Sequence, residues 1–148
     1  MCIRDRYGKV EITPEGTVIG RVGTSAHGQG HVTSFSMIIS DILGVPMEDV
    51  TILQSDTAEI PRGSGTMGSR SLQTAGSAVF VASETVFAKA RQLAASMLEA
   101  SPDDIVKAPG GVSVAGVPTA SLTWAELYAA SMDESRRCLL YTSDAADE

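Results

Sequence analysis

Two glycine-rich stretches of this 148-residue sequence hold the side chains best suited to chemistry. One reads GTSAHGQGHVTSF over residues 23–35 and places two histidines and a glutamine among three glycines. The other reads PRGSGTMGSRS over residues 61–71 and combines three glycines with hydroxyl groups and arginines. Because glycine has no side chain, backbone N–H groups in such stretches can approach a ligand closely. Both stretches are therefore candidate binding loops.

The first stretch could be a metal site, because His27 and His31 lie four residues apart. That spacing binds zinc when a helix stacks the two imidazole rings on one face. Here Gly28 and Gly30 separate the histidines, no glutamate follows His27, and the sequence offers no obvious third ligand. We therefore predict no metal ligand, and the alternative role of the two histidines is hydrogen bonding within a loop.

The second stretch contains GSGTMG at residues 63–68, which matches the GxGxxG fingerprint of dinucleotide-binding domains. That fingerprint must directly follow a strand and open a helix. Pro61 and a polar run separate it from the strand expected near Leu53, so a nicotinamide-dependent dehydrogenase is the less favoured alternative. Neither stretch places a serine in a GxSxG elbow, so no nucleophilic serine is predicted.

The two stretches share a physical property, because each leads into the start of a predicted helix. Unpaired N–H groups and the helix dipole favour an anion there. Arg70 and the hydroxyls of Thr66, Ser69 and Ser71 add hydrogen-bond donors, and Gln29 offers a donor and an acceptor to the edge of a heterocycle. The residues thus favour a phosphate-bearing organic cofactor bound across both loops. The alternative is two glycine-rich turns without a ligand.

The elements around these loops follow from local patterns. Alternating apolar residues on both sides of Pro14-Glu15-Gly16 predict a hairpin. Helical spacing predicts one helix ending at Gly44 and a longer one over residues 75–97, with a short buried strand, DVTILQ, between them. The helical spacing of the first helix involves Val32, Phe35, Ile39 and Ile42, and that of the second involves Ala75, Val79, Ala82, Val86, Ala90, Leu93 and Met97.

The remainder predicts a short helix after Ser101, a weak hairpin in GGVSVAGVP, and a last helix opened by a capping box from Thr123 to Glu126. The element order is then ββαβ-loop-α-α-ββ-α. This order predicts an α+β fold rather than a regularly alternating parallel sheet.

Composition excludes several classes of partner. The net charge is −7, the basic residues are scattered, and no apolar run is long enough to cross a bilayer. We therefore expect neither nucleic acid nor a membrane as a partner. Cys2 and Cys138 lie near opposite ends and suggest no disulfide framework, so a cytoplasmic location is expected.

Three segments of the chain, in order and at matching spacing, resemble the molybdopterin-binding large subunit of the xanthine dehydrogenase / aldehyde oxidase / aerobic carbon monoxide dehydrogenase family. They read GTSAHGQGHVT, LGVPMEDVTILQSDT and PRGSGTMGSRS, and the resemblance extends over residues 9–130. The two glycine-rich motifs, found in order and at the matching spacing, are together much more specific than either motif alone.

The resemblance implies a pterin cofactor carrying molybdenum, in bacteria usually as molybdopterin cytosine dinucleotide. It implies that one group of residues lies against the pterin and that another holds its phosphate and dinucleotide. The first group is His27, Gly28, Gln29, Gly30 and His31, and the second is Thr66, Gly68, Ser69, Arg70 and Ser71.

The resemblance also implies an oxidoreductase that hydroxylates an aldehyde, an N-heterocycle or a similar carbon centre of a small molecule, with water as the oxygen source. Iron–sulfur clusters and FAD would lie on partner subunits or domains. The family's general base and substrate pocket lie beyond this chain, so no residue here is predicted to be catalytic and the fragment alone is expected to be inactive. A noncatalytic pterin-binding module is the alternative.

The two ends of the sequence differ in character from the middle. MCIRDR and RRCLLYTSDAADE carry both cysteines and do not continue the periodicity of their neighbours. We expect residues 1–6 and 136–148 to be non-native sequence from adapter read-through in assembled environmental reads. Residues 7–135 would then be part of a molybdopterin-binding domain cut from a longer chain.

Overall fold

The fold is known from a computed structural model that describes residues 7–63 and 65–132. Within these residues, three α-helices and two three-stranded sheets form a mixed α+β architecture, as predicted. The expected non-native ends lie outside the described residues, and that expectation stays a prediction.

The first sheet contains β1 (Gly8–Ile12), β2 (Val18–Val22) and β3 (Val50–Gln54) in that spatial order. Strand β1 pairs with β2 antiparallel, which confirms the predicted hairpin, whereas β2 pairs with β3 parallel. Alternate side chains of the hairpin are fully buried and form one wall of the core, namely Val10, Ile12, Val18 and Val22. The predicted strand β3 is confirmed, but it is only partly buried because it is an edge strand.

Helix α1 (His31–Leu43) connects the parallel strands β2 and β3. Phe35, Ile39 and Ile42 are buried as predicted, and Gly44 ends the helix in the left-handed conformation with φ 69°. Val32 differs from the prediction, because it is 45% exposed. The buried apolar face of α1 therefore begins one turn later than its apolar spacing suggests.

Helix α2 (Ser71–Leu98) is the longest element, and it packs against α1 and β1. Six of the seven residues predicted for its apolar face are buried and the seventh is partly buried. The contact with β1 is close, because a Cβ added at Gly8 would lie 2.8 Å from the Cβ of Ala78. Two small residues thus let the helix backbone approach the strand, which fixes the start of α2 relative to the first sheet.

The segment after α2 differs from the predicted order. The short helix expected after Ser101 is a single 3-10 turn, Pro102–Asp104, rather than an α-helix, and its predicted Ser101 cap is present. An unpredicted strand, β4 (Ile105–Ala108), follows. Strands β5 (Gly111–Val114) and β6 (Val117–Thr123) complete an antiparallel sheet. The observed order is ββαβ-loop-α-βββ-α, so the second predicted α is wrong. The chain cannot continue as a helix because the β-branched Ile105 and Val106 enter the ladder with β5.

Helix α3 (Trp124–Ser131) begins at the predicted capping box, which is confirmed. The backbone N–H of Glu126 donates to the Thr123 hydroxyl oxygen over 3.3 Å, and the N–H of Thr123 donates to the Glu126 carboxylate over 2.8 Å. Trp124 and Leu127 are buried and attach the helix to the core.

We expect the capping box to make α3 sensitive to acid. Hydrogen bonds from the backbone N–H and then the hydroxyl of Thr123 hold the pKa of the Glu126 carboxyl below its ordinary value of 4.5. Because the folded pKa is the lower one, the carboxylate stabilises the fold above about pH 4.5, and this contribution disappears as pH falls through the folded pKa. A ¹³C NMR titration of the Glu126 carboxyl should give a midpoint below 4.5, which Thr123→Ala should move upward. A midpoint at or above 4.5 in the parent would contradict this assignment.

No helix among the described residues is both long enough and apolar enough to cross a membrane.

Candidate cofactor-binding site

The parallel pairing of β2 with β3 brings the two glycine-rich stretches together. Val22 and Gln54, the last residues of the two strands, are paired, so the strands end at the same edge of the sheet. The first loop (residues 23–30) follows β2 and leads to α1, and the second loop (residues 55–70) follows β3 and leads to α2. Ligands commonly bind beyond the carboxyl ends of parallel strands, because helix N-termini and loops converge there.

Side-chain hydrogen bonds join the two loops directly. The Thr66 hydroxyl donates to the backbone carbonyl of Ser25, and the Ser71 hydroxyl donates to the Thr66 hydroxyl oxygen over 3.3 Å. The hydroxyls of Ser25 and Ser55 also form a hydrogen bond. Thr66, which the resemblance places in the site, therefore also holds the first loop to the second.

The backbones of the loops also approach each other closely. A Cβ added at Gly23 would collide with the carbonyl oxygen of Arg62 and lie 3.2 Å from the Cα of Gly63. A Cβ at Gly63 would in turn lie 3.0 Å from the carbonyl oxygen of Gly23. Glycine at position 23 is thus a steric requirement of the junction between the loops, and a side chain at position 63 would be tightly packed against it.

A cavity of about 450 Å³ lies between the loops and the starts of α1 and α2. Its lining residues are Gln29, His31, Ser34, Thr66, Met67, Gly68, Ser69, Ser71 and Leu72. Six of the ten site residues expected from the sequence are among them. The other four, His27, Gly28, Gly30 and Arg70, are exposed and do not line the cavity. Ser34, Met67 and Leu72 were missed, because nothing in their spacing separates them from ordinary helix or loop residues.

His31 lines this cavity and has a buried ring nitrogen without a hydrogen-bond partner among the described residues. The residue is 4% exposed, it begins α1, and its ring centroid lies 5.4 Å from that of Phe35. The buried nitrogen is Nδ1. Leaving such an atom unpaired costs about 1–3 kcal/mol, so a ligand that pairs with it would be stabilised at this position.

The helix starts at the cavity differ from the start of α3. Neither α1 nor α2 has a side-chain cap, and neither carries an acidic residue in its first turn. Their first N–H groups are therefore available to an anionic ligand. Helix α3, by contrast, uses both halves of a capping box.

Backbone strain is also concentrated at the start of α2. Ser69 has φ 51° and Gly68 has φ 63°, in the left-handed region. For a non-glycine residue this conformation costs about 1–2 kcal/mol, and such residues cluster at ligand-binding sites. Of these two residues only Ser69 is strained, because glycine adopts positive φ freely, and both residues line the cavity.

The anchor of the second loop is an ion-pair network that the sequence analysis missed. The Arg21 guanidinium on β2 donates to the Glu59 carboxylate over 2.8 Å and to the Glu11 carboxylate over 2.7 Å. Burial lowers the pKa of Arg21, but the hydrogen bonds and charges of Glu59 and Glu11 outweigh burial and raise it. Arg21 and Glu59 are 38 residues apart, so no local pattern connects them.

Replacing Glu59 by glutamine is expected to loosen the second loop. An ion pair with one exposed partner contributes about 0.2–1 kcal/mol, so amide exchange at Ile60 should accelerate by up to about fivefold. The Ile60 N–H donates to the carbonyl of Asp56 within the loop over 2.9 Å, which makes it a suitable reporter. Asp103→Asn, which removes the exposed 3.5 Å pair with Arg91, is the control and should leave Ile60 unchanged. Equal exchange rates in both variants and the parent would contradict the anchoring role.

A second cavity of about 370 Å³ lies between the same loops, on the side of the strand ends. Its lining includes Thr24, Ser55, Asp56 and Thr57. Thr24 is 2% exposed, and its hydroxyl has no hydrogen-bond partner within the described part of the chain. In residues 7–63 and 65–132, no three His, Cys, Asp or Glu side chains are grouped so that they could hold a metal ion.

The GSGTMG motif does not stand in a dinucleotide-binding βαβ unit in the part of the chain described. It precedes α2, but β3 ends at Gln54, well before the motif. The strands that follow α2 form the separate antiparallel sheet. The nicotinamide alternative therefore lacks the strand–glycine–helix–strand arrangement on which it depends.

Comparison with known proteins identifies the family to which the chain is similar. The family described as the molybdopterin cofactor-binding domain matches residues 3–143. The carbon monoxide dehydrogenase large chain of Afipia carboxidovorans is 42% identical over 123 residues, which cover 83% of this chain and 15% of that protein. The 6-hydroxypseudooxynicotine dehydrogenase complex subunit gamma of Paenarthrobacter nicotinovorans is 41% identical over 109 residues, or 74% of this chain and 14% of that protein.

A solved structure agrees with these matches. A crystal structure of Cu,Mo-CO dehydrogenase in its carbon monoxide reduced state aligns with a TM-score of 0.76 at 41% identity, covering 85% of this chain and 16% of that one. The chain thus spans about 15% of the length of the relatives that it matches.

Proposed function

Since the chain belongs to the molybdopterin cofactor-binding domain family of molybdenum hydroxylases, we propose that it holds the pterin between its first and second loops. The observation that carries the proposal is the cavity shared by the two loops at the ends of β2 and β3. Gln29 and His31 lie on its first-loop side, and Thr66, Ser69 and Ser71 lie on its second-loop side.

The residues present fit such a cofactor. The flat pterin carries donors and acceptors on its edges, which suit the unpaired Nδ1 of His31 and the amide NH₂ of Gln29. The Gln29 Oε1 accepts a hydrogen bond from the backbone N–H of His27. The phosphate group suits the Ser69 hydroxyl and the first backbone N–H groups at the uncapped start of α2. The hydroxyls of Thr66 and Ser71 donate within the protein and hold the wall of the cavity beside it. The cavity volume of about 450 Å³ also lies within the range usual for small-molecule sites.

When bound, the cofactor supplies the molybdenum centre at which a carbon atom of the substrate is hydroxylated with water as the oxygen source. The described residues bind and orient it, and we assign none of them a catalytic role. The first loop presents backbone and Gln29 to the ring system, while the start of α2 offsets the phosphate charge. The Arg21–Glu59 pair holds the second loop in the position where this interaction is made.

The proposal extends to the intact protein. The segment that the matched relatives share with this chain is 14–15% of their length. The cofactor is molybdopterin cytosine dinucleotide, and the exposed Arg70 beside the second loop provides a charge for its additional phosphate. Iron–sulfur clusters and FAD lie on partner subunits or domains. The substrate is an aldehyde, an N-heterocycle or a similar carbon centre of a small molecule. The cytoplasmic location expected from the sequence stays a prediction.

The test replaces Gln29 by alanine in an intact large subunit. A suitable protein is a chimera in which residues 7–132 replace the matching segment of the Afipia carboxidovorans chain, which is 42% identical. Loss of a hydrogen-bonding group that leaves its partner unpaired costs about 1–2 kcal/mol, so pterin should be lost about 5–30 times faster on dilution.

Gln92→Ala is the matched control, because Gln92 is an exposed glutamine in the second half of α2. Molybdenum and pterin content are measured after gel filtration for the parent and both variants. Equal retention in Gln29→Ala, Gln92→Ala and the parent would overturn the proposed role of the first loop.

A further inference from the structure

An apolar groove runs between α1 and α2, on the outside of the molecule. It has a volume of about 540 Å³, and we call it the α1–α2 groove. Four large apolar side chains line it while remaining half exposed: Met37 is 55% exposed, Leu72 53%, Phe80 50% and Val81 43%. Its lining contains no charged side chain. Apolar surface grouped in this way marks a contact site, whereas single exposed apolar residues are ordinary.

The floor of the groove is formed where α1 packs against α2. Gly76 lies at its floor, where an added Cβ would be 3.3 Å from Leu72 Cδ1 and 3.4 Å from Ile38 Cδ1. Glycine at this position lets Ile38 of α1 pack closely against α2, so the side chains of this chain close the floor of the groove. Ser34 and Leu72 line both this groove and the cavity between the loops, so the groove is continuous with the proposed cofactor site.

We propose that the α1–α2 groove is covered, in the intact protein, by an apolar segment from the part of the large subunit that this chain does not contain. The matched relative is much longer than the shared segment, which is 15% of its length, so ample chain is available to cover the groove. A second copy is the less favoured occupant, because each chain carries a net charge of −7 and two copies would repel each other. This inference rests on family membership and is independent of where the pterin binds.

The test measures the thiol reactivity of Phe80→Cys and, separately, Met37→Cys. Cys2 and Cys138 are first replaced by serine, and each variant is labelled with a maleimide as the 148-residue chain and within the chimeric large subunit. Labelling of the denatured protein gives the reference rate. Val86→Cys is the buried control, because Val86 is 0% exposed on the core side of α2.

We expect both groove positions to react rapidly in the 148-residue chain and at least about tenfold more slowly in the intact subunit, since labelling would require a local opening. Val86→Cys should be protected in both proteins. Equally rapid labelling of the groove positions in the intact subunit would overturn the proposal. Concentration-dependent protection in the 148-residue chain alone would also overturn it, because a second copy would then be the occupant.

Discussion

Replacing Gly23 by alanine in the intact subunit is expected to lower cofactor retention strongly. The new Cβ would collide with the carbonyl oxygen of Arg62 and crowd the Cα of Gly63 at 3.2 Å. Both are backbone atoms, so the strain cannot be relieved by rotating a side chain. The loops must therefore separate, which moves the hydrogen bond from Thr66 to Ser25 and the wall of the cavity. Overpacking of this kind costs about 1–3 kcal/mol, equivalent to about a 5- to 150-fold loss of retention.

Gly116→Ala is the matched control for the effect of a glycine-to-alanine change. Gly116 has φ 79° in the turn before β6, and nothing lies within 4 Å of the position of its missing Cβ. The control therefore introduces backbone strain without a clash and far from the loops. Molybdenum and pterin per subunit are measured after gel filtration, alongside the melting temperature. If Gly23→Ala retains as much cofactor as Gly116→Ala, the close approach of the loops is unnecessary for binding.

Phe35→Ala is expected to have the largest effect on stability. Phe35 is completely buried in the second turn of α1, and its ring contacts that of His31. Truncating a buried phenylalanine lowers the free energy of unfolding by about 3–5 kcal/mol. This is a large share of the stability of a small domain, so the isolated chain should lose most of its folded population. The same change removes the packing that orients the His31 ring at the cavity.

Phe80→Ala provides the comparison, because Phe80 is the same residue type on α2 but is half exposed. In the 148-residue chain its truncation should change the free energy of unfolding by less than about 1 kcal/mol, as is usual for exposed positions. Urea denaturation followed by circular dichroism measures both variants. Similar losses for Phe35→Ala and Phe80→Ala would contradict the burial on which the core assignment depends.

The sequence was sufficient to predict those elements whose signals are local. Helix α2 was predicted because its apolar residues repeat at helical spacing over six turns, and Thr123 and Glu126 mark the start of α3 within four residues. The hairpin of β1 and β2 likewise follows from alternation around a tight turn. In each case the determining residues are neighbours in the chain.

Features set by distant residues could not be predicted in this way. Strand β4 has four residues, of which only Ile105 is buried, so it shows neither alternation nor a continuous apolar run. The Arg21–Glu59 pair forms only when β2 and β3 lie side by side. The same is true of the close contact between Gly23 and the Arg62 carbonyl oxygen, which leaves no room for a side chain at position 23. The α1–α2 groove is also non-local, because Met37 and Phe80 belong to helices separated by the whole second loop.

The candidate site was only partly predictable, because its two loops are identified by local residues but are joined by strands that are distant in the chain. The glycines and hydroxyls identified both loops, but the parallel pairing that joins them was not predicted. His31 was expected in the site as part of a motif, whereas the burial of its Nδ1 without a partner depends on the packing of Phe35 beneath it.

The most direct test of the central claim is a crystal structure of the chimeric large subunit with its cofactor bound. We expect density for the pterin between the first and second loops, with its ring edge within hydrogen-bond distance of Gln29 or His31. We also expect the phosphate at residues 69–71, where α2 begins without a side-chain cap. A pterin bound elsewhere in the subunit, with the cavity between the loops filled by solvent or protein side chains, would contradict the account.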